Sequence, residues 1–166
     1  MERSEQNKQV VSKQRVRDHG EVFTQEREVN AMLDLVRGET ERIESRFLEP
    51  ACGTGNFLAP VLERKLAIVK KRYGSSQSDF ERMALAAASS IYGVEILSDN
   101  VAICIDRLYN ILNNDYAKLF GNACKNEFRE SVRFVLKRNI LHGDALSLKS
   151  PDRKDYITFS EWSFAN

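Results

Sequence analysis

One stretch, "FLEPACGTGNFL" at residues 47–58, constrains the fold of this chain more than any other. An apolar lead-in ends at an acid and a proline. It passes through a turn holding Gly53 and Gly55 and runs straight into an apolar helical pattern. Glycines at such a join let the backbone turn sharply into a helix N-terminus and approach a ligand closely. The stretch is not a dinucleotide fingerprint, because GxGxxG is absent. It is not a phosphate loop either, because no Gly-Lys-Ser/Thr follows. An acid directly before the turn would repel a pyrophosphate and suits a cationic or polar ligand group.

The flanking patterns supply the rest of an alternating fold. Thr24 reads as the N-cap of a helix whose Val29, Met32, Leu33 and Val36 recur at helical spacing and which Gly38 can end. "RIESRFLEP" reads as a short strand closed by Pro50. After the turn, Phe57, Leu58, Val61, Leu62, Leu66 and Val69 form one apolar helical stripe, with Lys70, Lys71 and Arg72 in the last turn and Gly74 as the stop. "SSQSD" reads as a loop, "FERMALAAASS" as a second short helix, and "IYGVEI" as a strand. "SDNVAICIDRLYNILNN" predicts an amphipathic helix capped by Ser98. Residues 115–131 fit helix or loop, "FVLKRNILHGDAL" holds a strand ending near Leu141, and "YITF" in the tail is strand-like. Strands alternating with helices imply an α/β fold of about three parallel strands joined by right-handed crossovers, with helices on the faces as a three-layer α/β/α arrangement.

In such sheets the ligand lies at the carboxyl ends of the strands. Glu49, Glu95 and Asp144 follow the first, second and third strands. Singly, each reads as a solvated loop acid; at three equivalent positions they describe a pocket. Glu95 stands where an acid can accept from ribose hydroxyls, and Asp144 where one can accept from an amino group such as that of adenine. Together they describe a site for an adenosine carrying a positive group rather than phosphates.

The 166 residues fit one domain; hydrophobic content of 42% and charged content of 30% indicate a folded chain, and the net charge of +1 neither demands nor excludes nucleic acid. Cys52, Cys104 and Cys124 form no CxxC pair, which argues against a disulfide framework or a metal site. No signal peptide or membrane-length apolar run is visible, so a cytoplasmic protein with no membrane partner is expected. Cys52 reads as a small buried filler, and Phe57 as either a pocket wall or the first core residue of its helix. His142 reads as a strand-end polar residue, and Trp162 and Phe164 as packing residues.

"FLEPACGTGNFL" closely resembles motif I, the cofactor-binding motif of class I S-adenosylmethionine-dependent DNA adenine (N6) methyltransferases. "GEVFTQEREVNAML" resembles the upstream motif X of that group, with Gln25 in place of its usual proline. "IYGVEI" resembles motif II and "NILHGDAL" motif III. The four occur in the expected order over residues 20–146, in the style of type I modification subunits and fused restriction-methylation enzymes. The resemblance implies a Rossmann-like methyltransferase fold with S-adenosyl-L-methionine as cofactor. Glu49 would hold the methionine amino group, and the backbone at Pro50, Ala51, Gly53 and Gly55 would wrap the carboxylate end. Phe23 and Thr24 would add contacts to the methionine part. Glu95 would take the ribose hydroxyls, Ile96 would pack on the adenine ring, Asp144 would accept from the adenine amine, and Ala145 would offer a backbone contact. Phe57 would wall the pocket beside the target base.

The catalytic motif IV of the group, Asn or Asp-Pro-Pro-Tyr or Phe, is absent: the three prolines are Pro50, Pro60 and Pro151, none of them paired. No catalytic residue is therefore assigned. The expected organisation is an N-terminal arm at 1–19, the cofactor-binding part at 20–146, and at 147–166 the start of an insertion or of a truncated catalytic half. On this reading the chain is an amino-terminal part of a larger enzyme, inactive alone and meeting DNA through the full-length protein, with a specificity or restriction subunit as a further partner. A truncated, non-catalytic module that binds the cofactor or a partner subunit is the alternative. An incomplete sheet would leave one side of the first strand unpaired. Two outcomes are expected there: "YITF" folds onto that edge, or two chains form a homodimer across it.

Overall fold

The computed structural model describes residue 17, residues 24–152 and residues 154–163. Among them the elements run α1 (Glu26–Leu35), α2 (Arg37–Thr40), β1 (Phe47–Glu49), α3 (Leu58–Tyr73), α4 (Gln77–Ser89), β2 (Ile91–Glu95), α5 (Ser98–Phe120), a 3-10 turn (Gly121–Ala123), α6 (Asn126–Asn139) and β3 (Ile140–His142). The protein is mixed α/β. Its sheet is parallel throughout, in the order β1-β2-β3, with Phe47 opposite Ile91 and Gly93 opposite Ile140.

Helices α3 and α4 link β1 to β2, and helices α5 and α6 link β2 to β3. The first pair packs directly on the second. Both crossovers therefore lie on one face, as right-handed connections must when the strand order advances in one direction. Paired residues of parallel strands share a face. Phe47, Ile91 and Ile140 accordingly turn toward the helices and join Leu58, Leu62, Leu66, Leu108 and Leu136 in the core. Phe80 of α4 meets Tyr116 and Phe120 of α5, and Tyr116 meets Phe128 of α6, with ring centroids 4.6–6.0 Å apart. That aromatic junction carries α5 on to Phe120, so the stretch at 115–131 is helix, a short turn and helix again.

The opposite face bears Leu48, Tyr92, Val94 and Leu141, and no helix covers it among the described residues. The expected third layer is replaced by the tail. Tyr156 is bridged to Lys149, which is bridged in turn to Asp144. The chain then passes Gly143 at Ile157, sets Phe159 edge-on to Tyr92 at 5.6 Å, and presents the Ser160 carbonyl to the Tyr92 hydroxyl at 3.0 Å. Beyond it, Glu161 pairs with Arg46 at 2.7 Å and the Trp162 indole N–H donates to Asn139 at 2.8 Å. The strand-like "YITF" thus forms no strand and lies across the sheet rather than along the edge of β1. On this face Val94 is 2% exposed, whereas Leu48 of β1 is 56% exposed.

Several local expectations change for identifiable reasons. Gln25, not Thr24, stands at the N-cap of α1, with no side-chain cap bond, and Gly38 lies inside α2 instead of ending a helix. Ser98 is the first residue of α5 rather than its cap. Ser76, inside the stretch read as a loop, caps α4 by accepting from the Asp79 N–H. "FVLKRN" completes α6, its apolar residues at 128, 132, 135 and 136 facing the core, so β3 is limited to three residues. Lys65 is wholly buried in α3 and donates to the carbonyls of Arg42, Ile43 and Ser45 at 2.9, 2.9 and 2.6 Å. It thereby fixes the chain entering β1. Among the described residues no helix is long and apolar enough to cross a membrane.

Candidate ligand cleft at the carboxyl ends of the strands

The chain stays bonded to β2 three residues past the end of β1, where the Cys52 N–H donates to the Val94 carbonyl at 3.0 Å. The chain then reverses through Gly53 (φ 51°) and Gly55 (φ 85°), and the Gly55 N–H returns to the Cys52 carbonyl at 2.8 Å. Both φ values lie in the region that glycine reaches without strain. At Gly55 space is a second constraint, because a Cβ there would stand 2.9 Å from the Cys104 sulfur. Helix α3 starts at once, with the Ala59 N–H bonded to the Gly55 carbonyl.

A cleft of about 660 Å³ opens above this turn, within the size range of small-molecule sites. Thr24, Glu49, Pro50, Ala51, Gly53, Phe57, Glu95, Ile96, Asp144 and Ala145 all line it. Gly55 does not: it packs on Cys104 behind the turn, and its part is to shape the loop. Phe23 lies outside the described residues. Phe57 serves both roles, packing partly on the core while facing the cleft. The sequence reading missed Met32 on the rim, Asn56 in the turn, Leu97 and Asn100 at the start of α5, and Gly143 and Leu146 beyond β3. Asn56 and Gly143 sit inside the very stretches quoted above; what hid Met32 was its place on a helical apolar stripe. Of that stripe Val29 and Leu33 are buried, while Met32 is 52% exposed and turned to the cleft.

The three strand-end acids converge, but they are not equivalent. Glu95 is nearly buried, and its two oxygens accept separately from the Gly53 N–H at 2.8 Å and the Leu97 N–H at 2.9 Å. It ties the glycine turn to the head of α5, leaving each oxygen a second lone pair for a ligand hydroxyl. Asp144 is engaged by its own loop, accepting from the Leu146 N–H at 2.9 Å and the Ser147 hydroxyl at 2.8 Å. A ligand amine would have to share or displace those bonds. Among the described residues Glu49 makes only a long 3.4 Å contact with the Ala51 N–H. It is the acid least committed to the fold.

Every charged side chain lining the cleft is acidic; Lys, Arg and His are missing from its wall among the described residues. That wall favours cations and hydrogen-bond donors and opposes phosphates. Cys52 lies on the floor, where a hydrogen bond with the Cys104 thiol and burial push its pKa well above the ordinary thiol value, and Glu95 and Glu49 push in the same direction, which disfavours the thiolate. His142 is exposed at the end of β3 with its Nε2 3.0 Å from the Ile96 carbonyl, outside the cleft wall. Comparison with protein-family models, with curated proteins and with solved structures returned no match.

Proposed function

We propose that this chain is the S-adenosyl-L-methionine-binding part of a DNA adenine-N6 methyltransferase of a restriction-modification system, with the first three strands of a Rossmann-like methyltransferase fold. One observation carries the reading. Three acids from the carboxyl ends of three successive parallel strands meet around a glycine turn, in a cleft with no basic wall residue among the described residues. A phosphorylated nucleotide suits such a wall poorly. An adenosine with a cationic amino-acid arm suits it well. Glu49 would hold the ammonium group, Glu95 the ribose hydroxyls, Ile96 and Phe57 the flat faces, and Asp144 the adenine amine. Bound there, the cofactor supplies an electrophilic methyl group; this chain's own residues bind and orient it.

No Asn or Asp-Pro-Pro-Tyr or Phe occurs in the 166 residues. A flipped base is normally held by such polar and aromatic groups. The proposal is therefore cofactor binding without methyl transfer by these residues alone, DNA being the acceptor of the complete enzyme. Titration calorimetry with S-adenosylmethionine, and with ATP and NAD as phosphate-bearing rivals, tests it. Saturable binding of S-adenosylmethionine and none of the rivals is expected. Tighter binding of either nucleotide, or no binding of S-adenosylmethionine, overturns it.

A further inference from the structure

The acid-lined cleft explains how a cation is held and leaves an amino acid's carboxylate without a side-chain partner. The polar groups between the glycine turn, α5 and the segment before α1 supply one. Arg107 of α5 stands outside the cleft, half-buried, and its Nη1 donates to Asn56 Oδ1 at 2.6 Å and to the Thr54 carbonyl at 3.5 Å. A guanidinium has only donors, so it fixes which end of the Asn56 amide faces it. The oxygen points to Arg107, and the NH2 is left for the other side. There it donates to the Thr24 carbonyl at 3.4 Å, a long bond that uses at most one of its two hydrogens. Asn56 and Thr24 both line the cleft.

We infer that Asn56 is a ligand-binding residue that donates from Nδ2 to the carboxylate of the bound amino-acid arm, and that Arg107 is the positioning residue that keeps this donor aimed into the cleft. The inference rests on the function proposed above and deepens it. The cleft then has two poles, acids for the ammonium group and an oriented amide with the Thr24 hydroxyl for the carboxylate, so it selects a zwitterion over a plain cation. Neither residue belongs to the set singled out from the sequence. Arg107 lies about half-way along α5, far in sequence from the turn it serves.

Calorimetric titration of the native chain with S-adenosylmethionine and with decarboxylated S-adenosylmethionine tests this. Asn56→Asp keeps the bond to Arg107 but replaces the donor by a charged acceptor. It is expected to weaken S-adenosylmethionine binding ten-fold or more and to leave the decarboxylated ligand no weaker. Arg107→Met is expected to weaken S-adenosylmethionine several-fold with the same selectivity, and Arg107→Lys, which can still donate to Asn56 Oδ1, to recover most of the loss. Thermal midpoints close to that of the native chain would accompany these changes. If both ligands weaken equally in Asn56→Asp and Arg107→Met, the two residues only support the turn and the inference falls while the proposed function stands. If the native chain binds neither ligand, the proposed function falls first and this inference with it.

Discussion

Glu95→Gln isolates the contact on which the geometry of the cleft depends. The carboxylate accepts from the Gly53 and Leu97 N–H groups through different oxygens, at 2.8 and 2.9 Å, with the residue 7% exposed. Glutamine retains one acceptor and places an NH2 group against the second N–H, so one bond is lost and two donors oppose each other in a nearly dry site. A hydrogen bond to a charged group contributes about 1.5–3 kcal/mol, and a neutral one about half as much. Losing one and weakening the other costs about 2–4 kcal/mol. Removing a buried charge offsets part of this, which sets the lower end of the range. In a domain of this size the thermal midpoint should fall by roughly 5–12 °C. Amide exchange should rise at Gly53 and Leu97, at the turn and at the head of α5, before it rises in the core. On the proposed function the same side chain would also serve the ribose, so affinity for S-adenosylmethionine should drop further than stability alone explains. Calorimetry and hydrogen exchange read both effects. A variant melting within a degree of the native protein, with unchanged exchange at Gly53, would refute the tether.

Three further perturbations separate the other parts of the fold. Burial lowers the Lys65 amine to about 8 from 10.5, so the unfolded chain binds a proton that the folded one has released between those values. Stability should therefore climb with pH through that window, by up to about 3 kcal/mol, and Lys65→Met should abolish the climb in denaturant titrations at pH 7.5 and 9.5. Gly93→Ala would put a methyl 2.8 Å from the Cys52 sulfur and 3.1 Å from Leu58 Cδ1, costing about 1–3 kcal/mol; Cys52→Ala in the same chain should recover part of that in a double-mutant cycle. Trp162→Ala removes the bond to Asn139 and the edge contact with Phe134, so limited proteolysis should cut faster between residues 150 and 163, whereas Glu161→Ala, which breaks an exposed ion pair worth under about 1 kcal/mol, should leave the cutting rate unchanged.

The sequence disclosed the alternation of strands and helices and the acids for one physical reason: period and position. A buried parallel strand is a short apolar run, its carboxyl end is where backbone groups lose their partners, and an acid written there has few places to go. Glu49, Glu95 and Asp144 could be located on those grounds, and the structure brings them to one cleft. What each acid does once it arrives was not legible, because it is decided by donors remote in the chain or in the turn of an unseen loop. Glu95 is met by an amide 42 residues earlier, and Asp144 is bound by two groups of a loop whose shape no periodicity encodes. The same distinction governs the sheet face that no helix covers among the described residues. Helices α3, α4 and the first part of α5 follow from apolar spacing and α6 did not, yet the face all four take follows from the handedness of two crossovers stepping the same way, and only that fixes Tyr92 and Val94 on the side left for the tail. Glu49 thus becomes the acid to examine for ligand contact. It has the least to do for the fold, so a change at Glu49 should reach the ligand with little effect on stability, whereas a change at Glu95 reaches both.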